Sequence, residues 1–164
     1  MSYPLPFKIS VLVFVKNKNG EHLLLKRAKE PNQGLYSPIG GKLEMAVGES
    51  PIDCACRETF EEIGLQCEAK DLHLFAMVSE KSYENKCHWL MFLFDCQKTL
   101  DTLPPPIDEG TFEFVPRKDI ENINIPETDR QIIWKCYDEF HEHFVALKID
   151  CEKNLSFQIQ QIIK

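Results

Sequence analysis

Glu58, Glu61 and Glu62 fall within five consecutive residues, beside Arg57, in the stretch RETFEEIGL (57–65). In a helix, steps of three and four return a side chain to the same face. At about 100° per residue, the three carboxylates share an arc of roughly 100°. Ile52, Ala55, Cys56, Thr59 and Ile63 centre on the opposite side. No lysine stands among the glutamates, and like charges at this spacing destabilise a helix unless something offsets them. A solvated acidic face is one reading. A hard divalent cation is the other, because oxygen ligands on one face suit Mg²⁺, Mn²⁺ or Ca²⁺.

The flanking residues bound this helix. Ser50 is a good N-cap, Pro51 suits the first helical position, and Asp53 stands where a capping-box acid reaches back. Gly64 fits a left-handed C-terminal cap, so the helix is short, about 13 residues. Upstream, Gly40 and Gly41 in SPIGGKLE allow a loop whose backbone approaches a ligand closely. Glu44 and Glu49 add two carboxylates on the way into the helix.

Read together, Gly41 to Leu65 resemble the Nudix box, G-x5-E-x7-R-E-U-x-E-E-x-G-U. Gly41, Glu49, Arg57, Glu58, Glu61, Glu62, Gly64 and Leu65 match by type. Two irregularities stand out. Thr59 occupies a position that is usually bulky and aliphatic. Seven residues rather than five separate Gly41 from Glu49, which makes Ala46 and Val47 an insertion ahead of Ser50. The resemblance implies an α/β/α sandwich with a mixed β-sheet between helices. It also implies one Mg²⁺-dependent (or Mn²⁺-dependent) domain over residues 1–164. By the same resemblance, Glu58, Glu61 and Glu62 hold the metal, joined by the backbone carbonyl of Gly40. Arg57 braces Glu61 or Glu58 rather than touching substrate.

The chemistry that fits is hydrolysis of a phosphoanhydride, in which positioning and electrostatics dominate. Candidates for the general base are Glu61, by resemblance, and Glu113 and Glu109 in DEGTFEF. Glu80 and Glu84 are weaker loop alternatives. Phosphate recognition calls for cations, and Lys42, Lys26 and Arg27 lie near the glycine loop. Tyr36, Tyr83, His88 and Trp89 are candidates for stacking on a base. The first-choice substrate is a small-molecule nucleotide, a nucleoside triphosphate. A dinucleoside polyphosphate or a nucleotide sugar is the alternative. Tyr83, eighteen residues after Leu65, is similar to a tyrosine of dinucleoside polyphosphate hydrolases. A non-catalytic binding module of the same fold is a further alternative, which the intact glutamates oppose.

The whole chain bounds these readings. A length of 164 residues suits one domain. The net charge of −7 argues against a nucleic-acid polymer as partner, since backbone binding needs a basic surface. No apolar run reaches the roughly 18 residues of a membrane span. MSYPLPFKIS has no basic segment followed by an apolar core, so a cytoplasmic protein is expected. The seven cysteines lack C-x-x-C pairs and read as buried, reduced thiols. This reading leaves room for a homodimer.

The elements that must position the glutamates follow from periodicity. Strands are predicted over 8–15, 22–27, 72–78, 88–96 and 111–115, with turns at 17–20 and a polar loop SEKSYENK (79–86). Residues 28 to 49 read as a long loop, and a short helix is placed near 116–120. A second long helix is predicted over 128–147, with Ile132, Ile133, Cys136, Phe140, Phe144 and Leu147 on one side. The tail from Asp150 is ambiguous between strand and helix.

Overall fold

A computed structural model describes residues 3–164. Strand β1 (Phe7–Lys16) is buried on both faces. Val11, Val13 and Val15 enter one core, and Phe14 enters the other. An unbroken apolar run, Val11 to Val15, that serves both faces is what a central strand requires. Around it lie β2 (His22–Arg27), β3 (Tyr36–Ser37), β4 (Ile39–Lys42), β5 (Leu72–Tyr83), β6 (Cys87–Thr99), β7 (Gly110–Val115), β8 (Phe144–Asp150) and β9 (Ser156–Ile163). The sheet runs β3-β2-β1-β6-β5-β8-β9, with β4 also paired to β1 and β7 to β2. β1–β6 and β5–β8 are parallel and the remaining pairs antiparallel, so the sheet is mixed.

Helix α1 (Pro51–Ile63) covers one face through Cys54, Ala55 and Ile63. Helix α2 (Trp134–Phe140) covers the other through Trp134, Cys136, Tyr137 and Phe140. The result is an α/β/α sandwich. The ends of α1 follow from its sequence. Ser50 Oγ accepts the Asp53 N–H at 3.1 Å, Pro51 opens the helix, and Gly64 closes it at φ 70°. Its buried side differs in detail from the predicted one. Ile52 is 38% exposed and Cys56 half-buried, while Cys54 is fully buried. The sheet meets the helix slightly off the axis that periodicity alone assigns. Thr59 is fully buried, and its hydroxyl donates to the Ala55 carbonyl at 2.7 Å. That local bond makes a threonine tolerable where an aliphatic side chain would otherwise sit.

Three other expectations need correction. The predicted second helix over 128–147 is broken. A π-helical turn spans Asp129–Ile133, α2 ends at Phe140, and Phe144 and Leu147 lie on β8. FVALKID satisfies strand alternation as well as helical spacing, and parallel pairing with β5 (Ala76 opposite Val145) decides between them. The 28–49 loop contains β3, β4 and a 3₁₀ turn, Met45–Val47. SEKSYENK is mostly strand, with the turn confined to residues 84–86 and positive φ at Ser82, Glu84 and Asn85. The ambiguous tail forms β9, and a 3₁₀ helix covers Arg117–Asn122.

β1 and β2 share only the Lys16–His22 pair before diverging. Beyond it, β1 pairs with β4, and β2 with β3 and β7. The Gly40–Leu12 pairing brings two backbones so close that a β-carbon at Gly40 would collide with the Val11 carbonyl. Gly40→Ala is therefore expected to lower stability by about 1–3 kcal/mol in urea denaturation, as overpacking against unyielding backbone does. A stability equal to wild type would contradict this packing.

Candidate active site

The carboxylates of α1 are organised by one cation. Arg57 reaches Glu49 through two bonds, Nε to Oε1 at 2.7 Å and Nη2 to Oε2 at 3.0 Å. Its Nη1 donates to Glu58 Oε1 at 3.0 Å and to Glu61 Oε2 at 3.1 Å. Nη2 also reaches the Lys42 carbonyl at 3.3 Å. The paired bonds to Glu49 fix the guanidinium plane, and the remaining donors hold Glu58 and Glu61. Arg57 beside Glu49 holds that carboxyl well down, to about 2. Ala46 and Val47 belong to the outward 3₁₀ turn, which closes at Gly48 with φ 63°. Glu44 N–H donates to Glu49 at 2.9 Å across that turn. The insertion thus leaves the Glu49–Arg57 fork intact.

Glu62 stands apart from this network. Its Oε2 accepts the Gly40 N–H at 3.4 Å, and no arginine or lysine pairs with it among the described residues. Burial, and then the negative charge of Glu58, push its carboxyl up to about 8. Burial likewise raises Glu58, against the opposing effect of Arg57. A β-carbon at Gly41 would run into the Glu58 carboxylate, so glycine there lets strand β4 pass close beside the acid. Among the described residues, no three His, Cys, Asp or Glu side chains converge as a finished metal cage. Arg57 draws Glu58 and Glu61 together, while Glu62 turns to Gly40.

Glu58 and Glu62 open onto a cleft of about 370 Å³ formed where β1 and β2 diverge. Of the residues singled out in the sequence, Arg27, Gly40, Lys42, Tyr83, Trp89, Glu80 and Glu109 also line it. Arg27 Nε donates to the Pro31 carbonyl at 2.6 Å. Tyr83 donates its hydroxyl to Asn32 at 2.7 Å. Tyr36 and Glu113 are absent from the lining and bond each other at 2.8 Å, with Lys26 over the Tyr36 ring. His88 accepts the Ser82 N–H and packs on Phe7, and Glu84 pairs with Lys86 on the exposed turn. Glu61 is half-exposed and outside the lining.

Sequence reasoning missed the far end of the cleft, where Asn32, Thr128 and Asp129 meet Glu80. Glu80 is 4% exposed, and no hydrogen bond or ion pair from a described residue reaches its carboxylate. Burial, and then Asp129, raise its carboxyl to about 8; burial raises Asp129 to about 7. A signal was present: Ala76, Val78, Glu80 and Ser82 continue one inward alternation. An acid on the inward side of a strand needs a reason.

A family model of the NUDIX domain matches residues 6–139, and the chain belongs to that family. Among solved structures, it is similar to a MutT protein from Bacillus halodurans, with TM-score 0.72 and 20% identity over 93% of this chain and 97% of that one. A MutT protein from Methanosarcina mazei Go1 gives 0.68 and 22%, over 84% and 97%. The NUDIX domain of Shewanella oneidensis NrtR, in a cocrystal with ADP ribose, gives 0.65 and 14%, over 84% and 89%. At these identities the likeness is one of fold. Membership brings a general hydrolase class acting on nucleotide-like compounds.

The Glu49–Arg57 fork yields a signed pH dependence. Because the folded chain lowers the Glu49 pKa, the pair's contribution is complete above about pH 4.5. It fades as pH falls toward the folded value of about 2. Glu49→Gln is expected to cost on the order of 1–3 kcal/mol at pH 6, as loss of charged hydrogen bonds does. The gap between variant and wild type should narrow steadily from pH 5 to pH 2.5 in urea titrations. A gap independent of pH would show that the ion pair is not its source.

Proposed function

We propose that the chain is a divalent-metal-dependent hydrolase that cleaves a phosphoanhydride of a nucleoside diphosphate derivative, with a nucleoside triphosphate as first choice. The observation that carries this reading is a single cleft with two chemically different ends. Glu58 and Glu62 stand at one end, with Arg27 and Lys42 also in the lining. Tyr83, Trp89, Asn32, Glu80 and Asp129 provide aromatic surface and hydrogen-bonding groups for a base. The intact glutamates of α1 weigh against a non-catalytic module.

Oxygen-only donors beside Glu62, a half-buried carboxylate that no lysine or arginine pairs with among the described residues, fit a hard cation. In this reading Glu58, Glu61, Glu62 and the Gly40 carbonyl hold Mg²⁺ or Mn²⁺. When bound, the ion supplies positive charge to phosphate oxygens and acidifies water at the site. Arg57 is a positioning residue that fixes the Glu58 and Glu61 carboxylates. Lys42 and Arg27 bind phosphate oxygens and orient phosphorus toward water. Glu109, in the cleft lining, takes the proton from the attacking water. It is favoured over Glu113, which is engaged with Tyr36, and over Glu61, which bonds Arg57. Attack at phosphorus leaves the carbon–oxygen bond whole. Tyr83 in the cleft wall keeps a dinucleoside polyphosphate as the second reading.

A panel of nucleotides and nucleotide sugars with Mg²⁺, read by phosphate release after a coupling enzyme, tests the activity. Hydrolysis in ¹⁸O-water should label a phosphate product and leave the alcohol unlabelled; label in the alcohol overturns attack at phosphorus. Glu109→Gln should lower kcat by about a hundredfold, and an unchanged rate would remove Glu109 as the base. Mn²⁺ titration calorimetry gives a readout apart from activity. Affinity should fall sharply in Glu62→Gln and by about 10- to 100-fold in Arg57→Ala. Wild-type affinity in both variants would defeat the assignment.

A further inference from the structure

β9 is the long outer strand at one end of the sheet, and among the described residues it pairs only with β8. All eight of its residues are exposed. The opposite end of the sheet order is β3, which is two residues long. A long edge strand exposes unpaired N–H and C=O groups and is usually guarded by lysine, proline or inward charge. β9 has none of these. From Asn154 to Ile163 no residue is charged, in a chain of net charge −7.

The register explains which side is apolar. Val145, Leu147 and Ile149 of β8 are buried in the core under α2. Their partners across the ladder are Ile162, Ile159 and Phe157. Opposed residues share a face of the sheet, so these three side chains continue the α2-side core outward. A bulge between Ala146 and Leu147 leaves Gln160 unpaired and returns Ile162 to the face of Ile159. Nothing among the described residues closes over them: Phe157 is 55% exposed, and Ile159 and Ile162 are each 42% exposed.

We propose that β9 is a self-pairing edge through which two copies of this chain form a twofold dimer. The occupant is a second copy because the segment is complementary to itself. An antiparallel pair about a twofold normal to the sheet keeps each face on its own side. Centred on Gln158, it sets Phe157 of each copy against the partner's Ile159 on the α2 side. Gln158 then meets its own counterpart on the other face. No like charges meet, whereas contacts elsewhere bring together surfaces of a strongly acidic chain. The free backbone groups of both edges are satisfied in the same step.

Sedimentation equilibrium and light scattering from 1 to 100 µM test this. A species of twice 19.1 kDa is expected, dissociating on dilution. Ile159→Lys and Phe157→Glu should each weaken association at least tenfold while leaving the thermal midpoint near that of wild type, since both side chains are exposed. Gln158→Cys should form a covalent dimer on mild oxidation beyond the wild-type background, and should fail to do so when combined with Ile159→Lys. A wild-type protein monomeric at 100 µM overturns the proposal. So does a dimer whose affinity neither charged variant changes.

Discussion

Four carboxylates crowd the approach to and the body of one short helix, and a single guanidinium makes that arrangement tenable. Arg57 spends its donors on Glu49, Glu58 and Glu61. Glu49 anchors the cation from outside the helix, so the orientation of Glu58 and Glu61 depends on a residue eight positions before Arg57. Coulomb repulsion that would fray an isolated helix becomes a fixed array of oxygens. Glu62 is left out of this network, and burial, followed by the charge of Glu58, raises its pKa.

The array needs a frame that tolerates close backbone approach. β4 supplies it by pairing with β1 where β2 has turned away. Gly40 meets the Val11 carbonyl and has no room for a side chain, and a side chain at Gly41 would displace the Glu58 carboxylate. The same divergence of β1 from β2 opens the cleft. One topological feature thus creates both the cleft and its acidic wall.

The opposite face is held by aromatic packing. Phe14 stacks on Tyr137 at 4.9 Å and meets Trp134 edge-on at 5.1 Å. His22 lies among them, and burial pushes its pKa down to about 3, so it is a neutral core residue. Tyr137 donates to Asp95 at 2.7 Å and accepts from Lys16 at 2.8 Å. This layer anchors α2 behind Asp129, which joins Glu80 at the cleft's far end. Two buried acids there are costly unless protonated or met by a ligand's donors.

The chain by itself determined the features set by local rules. The α1 caps, the shared face of Glu58, Glu61 and Glu62, and the Glu49-to-Arg57 spacing needed only neighbours in sequence, and so did most strands. The order of strands and helices pointed to the α/β/α layering that the resemblance also implied. What the sequence could not decide were choices among locally equivalent states. FVALKID could be helix or strand until β5 paired with it. Glu113 and Glu109 were both candidates for the general base, and nothing local foretold that Glu113 bonds Tyr36 while Glu109 lines the cleft. Glu80 looked like a loop acid because strand β5 continues past the point where its apolar residues stop. Asp129 and Asn32 carried no motif. They come from segments distant in sequence, and only the packing of α2 and the fold of the β2–β3 connection bring them to one cavity. Local propensity acts over a few residues, whereas burial and pairing act between distant segments, and the latter determine which polar groups face each other.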